Sequence, residues 1–112
     1  MDVEDRYFTD IIGSDCYWWI PGYPNKDMDL SKTDLLSMVD FVFWNLGLDR
    51  LFQKVIPSFD AFTDQVFTKE QWMEIRRIAA ENGGEWNKAL METDDWAERT
   101  FKQFDVFTLV TV

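Results

Sequence analysis

Carboxylates are the side chains best placed to do chemistry in this chain. Asp94-Asp95 and the group Asp2, Glu4 and Asp5 could divide into a proton donor and a base, the arrangement that glycoside-cleaving enzymes use. Both groups also sit beside expected helix starts, where the helix dipole stabilises negative charge with no catalytic role. Asn25-Lys26-Asp27-Met28-Asp29 places oxygens at alternate positions, as in the first half of an EF-hand loop. The glycine due at the sixth position of such a loop is Leu30, and the glutamate due at the twelfth is Leu36. Calcium is therefore not expected there.

Other chemistry lacks its parts. The chain has no histidine, which removes Ser-His-Asp triads, Cys-His pairs and imidazole metal ligands. Cys16 is the one cysteine; it is expected to be buried and inert, and nothing in the chain calls for an oxidising compartment. Ser14, Ser31, Ser37 and Ser58 stand in no Gly-x-Ser-x-Gly elbow, and no phosphate-cradling glycine pattern is present. The expectation is a protein without catalytic residues, metal or cofactor, and not an enzyme.

The aromatic side chains offer binding instead. Tyr17, Trp18, Trp19 and Tyr23 are either core filling for a short chain or an exposed hot spot. Adjacent tryptophans on a strand point to opposite faces. If residues 16–20 form a strand, Trp18 and Trp19 cannot both enter one core.

These groups need elements to hold them. Val3, Tyr7, Phe8, Ile11 and Ile12 recur at helical spacing and predict a helix over 2–12, closed by Gly13. Residues 16–20 are β-prone, and Pro21-Gly22-Tyr23-Pro24-Asn25 reads as turns. Ser31, with Asp34 three residues on, reads as the cap of a helix whose apolar stripe is Leu35, Leu36, Val39, Val42, Phe43 and Leu46; Met38, Phe41 and Trp44 widen it around most of the circumference, which marks a central, buried helix. Gly47 breaks it, and the period resumes from Leu48 to Ile56, ended by Pro57. Residues 59–67 suggest short turns. Thr68-Lys69-Glu70-Gln71 is a capping box opening a helix that Gly83-Gly84 terminates. A last helix is expected from about Glu85 to Phe104, with Thr93 as a point where it could split. The tail from Val106 to Val112 is strongly β-prone, and its best internal partner is the run at 16–20.

The resulting fold expectation is a mainly α, single domain over residues 1–112: four or five helices with a small two-stranded β element (α+β), the alternative being an all-α bundle. At 112 residues the chain is one domain's length. The acidic start at Met1-Asp2-Val3-Glu4 is unlike a secretory signal, and the apolar run Phe41-Val42-Phe43-Trp44 is far short of a membrane span. A cytoplasmic protein without membrane contact is expected.

Charge supplies the functional pointer. Acids outnumber bases 21 to 11, for a net charge of −10, which repels phosphate backbones and argues against direct nucleic-acid binding. The excess lies wholly outside residues 41–80, so the two ends would build an acidic face if they meet. The reading is a small acidic inhibitor of the immunity type, a monomer or weak dimer until it covers the cationic active-site cleft of a basic partner, a toxin or nuclease. Its expected partner-binding residues are Trp18, Trp19, Tyr23, Asp27, Asp29, Glu92, Asp94 and Asp95. The alternatives are a DNA mimic that blocks a DNA-binding enzyme, and a non-catalytic adaptor whose tail joins a partner's sheet edge.

Overall fold

The structure is a computed structural model that describes residues 7–9, 15–25 and 27–111. Four strands form one antiparallel sheet: β1 (Cys16–Pro21), β2 (Leu36–Val39), β3 (Gln65–Thr68) and β4 (Val106–Val110), in the order β2-β1-β4-β3. Among the described residues there are five α-helices: α1 (Asp40–Leu46), α2 (Leu48–Gln53), α3 (Lys69–Asn82), α4 (Gly84–Met91) and α5 (Asp94–Gln103). The four-stranded sheet corrects both the small two-stranded element in a mainly helical fold and the all-α alternative: the sheet is a full layer of the domain.

Strand parity decides which face holds the core. Register pairs Tyr17 with Met38, Trp19 with Leu36 and Leu109, and Phe67 with Phe107. Those side chains share a face, and it is against this face that Phe43, Phe52, Trp72, Ile75, Leu90 and Trp96 pack from the five helices. Cys16, Ile20, Val106 and Thr108 lie on the other face and are buried too. The buried thiol agrees with expectation. The C-terminal tail does pair with β1, as expected, but it also pairs with β3 on its far side. β4 is thus flanked on both edges, by β1 and by β3.

The second sheet edge comes from a stretch expected to be helix. Leu36–Val39 is a strand, and α1 starts only at Asp40, whose N–H donates to the Asp15 carbonyl at 2.8 Å. Leu36, Val39, Val42 and Phe43 satisfy helical spacing, but pairing with β1 supplies ladder hydrogen bonds that an isolated helix could not match. The Ser31 cap is likewise corrected. Asp29 caps a single 3-10 turn at Leu30–Lys32, its Oδ1 accepting from Ser31 N at 3.0 Å, and Asp34 turns to Arg99 instead. Residues expected as turns between Phe59 and Phe67 end in β3. Most of the expected helix over 2–12 lies outside the described residues; within it, Thr9 forms an isolated bridge to Ser37.

The remaining helices follow their local signals more closely. Thr68 and Gln71 exchange capping hydrogen bonds at 3.0 and 3.2 Å and open α3. Gly47, at φ 70°, separates α1 from α2, which stops at Gln53, short of Pro57. The long C-terminal helix does split at Thr93, but the Thr93 hydroxyl donates back to the Leu90 carbonyl at 2.6 Å and does not cap α5. Two indoles brace the helices: Trp86 on α4 donates to the Leu46 carbonyl at the end of α1, and Trp96 on α5 donates to the Asp34 carbonyl just ahead of β2.

Gly22 follows β1 with φ 66°, where a side chain is strained, and a Cβ there would sit 2.7 Å from the Phe104 ring. Its N–H donates to the Val106 carbonyl, and its own carbonyl accepts from the Thr108 hydroxyl. Gly22→Ala is expected to destabilise the domain by about 1–3 kcal/mol, read as a lower urea midpoint at unchanged m-value.

Candidate functional site

Helix α1 lies on the sheet with Phe43 and Leu46 inward. Phe43 stacks on Tyr17, with ring centroids 4.1 Å apart and an interplanar angle of 16°. The helical period then sends Phe41 and Trp44 outward, where they are 71% and 41% exposed. The loop from Pro57 to Asp64 brings a third ring. Phe59 and Ala61 are buried there, and Asp60 Oδ1 accepts from Phe62 N at 2.9 Å. This tight Asx turn leaves Phe62 pointing out, 77% exposed, its ring centroid 5.6 Å from that of Trp44.

The patch rests on a fixed base. Tyr17 donates its hydroxyl to the Ala61 carbonyl at 3.2 Å, tying the loop to β1. Burial first, and then the negative charge of Asp40, push the Tyr17 phenol above its ordinary value, while a hydrogen bond from Trp44 acts the other way. The phenol therefore stays protonated as a donor, and Trp44 is held from below. Around the rings stand Asp40 at the start of α1, Asp49 on α2, and the exposed Asp60 and Asp64 of the loop; Asp64 also accepts from Thr111 N at 3.1 Å. Arg50 on α2 and Lys54 immediately after it are nearby cations in the sequence. Aromatic faces among carboxylates can receive a lysine or arginine twice over, by charge and by cation–π attraction.

The residues expected from sequence are scattered. Trp19 is wholly buried, with Phe8 edge-on to it at 5.0 Å, so it cannot reach a partner. Trp18 points to the opposite face, as strand parity requires; it is half-buried, and its indole N–H has no hydrogen-bond partner among the described residues. Tyr23, Asp27 and Asp29 share one exposed loop, with Tyr23 at 67%. The Asp29 carboxylate is engaged by Ser31. Glu92 accepts from the N–H groups of Tyr7 and Phe8, fastening the N-terminal segment to the end of α4. Asp94 is held side-on by Arg76 at 2.8 and 3.0 Å, and Asp95 is exposed.

The two acid-rich ends do meet, β1 lying beside β4. Where they meet, carboxylates are engaged: Asp34 pairs with Arg99 at 3.0 Å, and Glu92 with backbone donors. The meeting of the ends braces the fold as much as it builds an acidic face. Among the described residues, no group of three or more Cys, Asp or Glu is placed to hold a metal ion, and no helix is long and apolar enough to cross a membrane.

Phe41 and Trp44 were expected inside a central, buried helix, and their exposure corrects that reading: α1 is short and lies on the sheet by one face only. Phe62 was not among the residues expected from sequence. The signal for Phe62 was present in Asp60-Ala61-Phe62, since an aspartate two residues ahead turns the backbone. Comparison with family models, curated proteins and solved structures finds no match for this chain. The functional reading therefore rests on its own residues.

Proposed function

We propose that this chain is a small acidic binding protein of the immunity type, which neutralises a basic toxin or nuclease in the cytoplasm by covering its cationic cleft. One observation carries the reading: the exposed rings of Trp44 and Phe62 lie side by side at the surface, with the exposed Phe41 three residues before Trp44 on the same helix. Neighbouring exposed rings of this kind mark a surface that a partner covers more often than single exposed rings do. The net charge of −10 gives the partner its sign. Attraction speeds encounter, and the aromatic anchors slow dissociation.

The test is affinity capture from the cells that make the chain, washed at low and high salt, followed by a nuclease assay of the captured protein. One basic protein retained at high salt, and silenced by an equimolar amount of the chain, is the expected result. A diffuse set of basic proteins lost at high salt, or a captured protein whose activity the chain leaves unchanged, would overturn the proposal.

A further inference from the structure

A cleft of about 520 Å³ opens between α3 and α5. It shares no residue with the aromatic patch. Trp72, Met73, Ala97 and Phe101 line its apolar part, Ala97 being the smallest of these side chains. Lys69, Arg76 and Lys102 add three of the chain's 11 cations to the same lining. Two carboxylates are there as well, and both are engaged: Asp94 by Arg76, and Glu98 by Lys102 at 3.6 Å. Lys69 makes no ion pair among the described residues.

The position of Lys69 is itself informative. It is the first residue of α3, where the helix dipole is positive and a cation is unfavourable. The commoner choice there is an acid, and this chain is rich in acids. An anion seated beside Lys69 would reverse the sign of that local cost, gaining from both the ammonium and the helix terminus. The volume lies within the range of small-molecule sites, and five of its nine lining residues are charged around an apolar floor.

We propose that this cleft binds a small amphipathic anion, a molecule with an apolar acyl or aryl body and a single negative head group. The body lies against Trp72, Ala97 and Phe101, and the head group meets Lys69. Asp94 and Glu98 balance the charges of Arg76 and Lys102, which leaves Lys69 to carry the net positive charge of the lining. The site stands apart from the proposed inhibitor surface, and neither depends on the other.

Calorimetric titration of the full chain tests this with four probes: dodecanoate, 8-anilinonaphthalene-1-sulfonate, dodecanol and dodecyltrimethylammonium. Saturable one-to-one binding of at least one of the two anions is expected, with dodecanol weaker and the cation weakest. Dodecanoate alone would define an acyl body, and the sulfonate alone an aryl one. Lys69→Glu suits the first turn of α3 and so should fold; it is expected to weaken anion binding by on the order of tenfold or more. Ala97→Leu, with its fold checked by circular dichroism, is expected to reduce binding by filling the space. Absence of saturable anion binding, equal binding of the cation, or an unchanged affinity in Lys69→Glu would overturn the site.

Discussion

Phe107→Ala is expected to lower the stability of the domain by about 3–5 kcal/mol, the usual cost of emptying a buried aromatic site. Phe107 sits on the central strand β4 and is wholly buried. Its ring centroid lies 5.2 Å from Phe67, 5.1 Å from Trp72, 5.1 Å from Trp96 and 5.7 Å from Phe101. It thus joins β3, α3 and α5 across the sheet. A ring so surrounded has no mobile neighbour to refill the space, which places the cost at the high end. A domain of this kind holds only about 5–15 kcal/mol in all, so the melting temperature should fall by on the order of 10–25 °C. Ending the chain at Asp105 removes the partner of both β1 and β3 and should abolish cooperative unfolding altogether. A loss under about 1 kcal/mol in Phe107→Ala would mean that the sheet–helix interface repacks freely, contrary to the interlocked rings.

Some of this architecture was legible in the sequence, and the legible parts share a property. Where the local signal and the tertiary environment agree, the element stands as read. Helix α3 has a capping box at Thr68, an apolar face at Trp72, Ile75 and Ala79, and Gly83 at its end. Strand β4 is a run of β-formers with no competing period. Strand β2 failed because Leu36, Val39, Val42, Phe43 and Leu46 keep helical spacing straight across the boundary at Asp40. Nothing local says that the first of these residues pair with β1. Strand β3 is four residues long, too short for alternation to stand out beside Phe59 and Phe62. Reading it missed the sheet's second edge, and with it the fold class.

The site divides the same way. The opposite fates of Trp18 and Trp19 follow from strand parity alone, although which of them is buried depends on which face the helices cover. The exposure of Phe41 is a different matter. Phe41 and Phe43 are two residues apart on a short helix, and only the position of Tyr17 beneath α1 decides that Phe43 turns inward. Phe59 and Phe62, three apart, suggest a common helical face, yet the Asx turn at Asp60 sends one in and the other out. Exposed charge was predictable in kind but not in use. Asp34, Glu92 and Asp94 all proved to be structural fasteners, because their partners Arg99, the backbone at 7–8 and Arg76 come from distant parts of the chain.

The most direct test of the aromatic patch compares it with the loop that sequence reasoning favoured. Phe62→Ala is expected to leave stability within about 0.5 kcal/mol, since the ring is mostly in solvent. Its effect on partner affinity should be far larger, and the same holds for Phe41→Ala. Anchors of this kind cost about 2–4 kcal/mol when truncated, which is about 30- to 1000-fold in Kd, carried mainly by faster dissociation. Asp60→Asn and Asp64→Asn should act differently: they slow association a few-fold and flatten its salt dependence, because rim charges steer encounter more than they hold the complex. Tyr23→Ala and Asp27→Asn, on the loop after β1, should change either rate by less than about twofold. Surface plasmon resonance on the captured basic partner, at two salt concentrations, separates these outcomes. If Tyr23→Ala and Asp27→Asn weaken the complex while Phe41→Ala and Phe62→Ala do not, the interface belongs to the loop after β1. The rings on α1 and the 57–64 loop would then have no part in recognition.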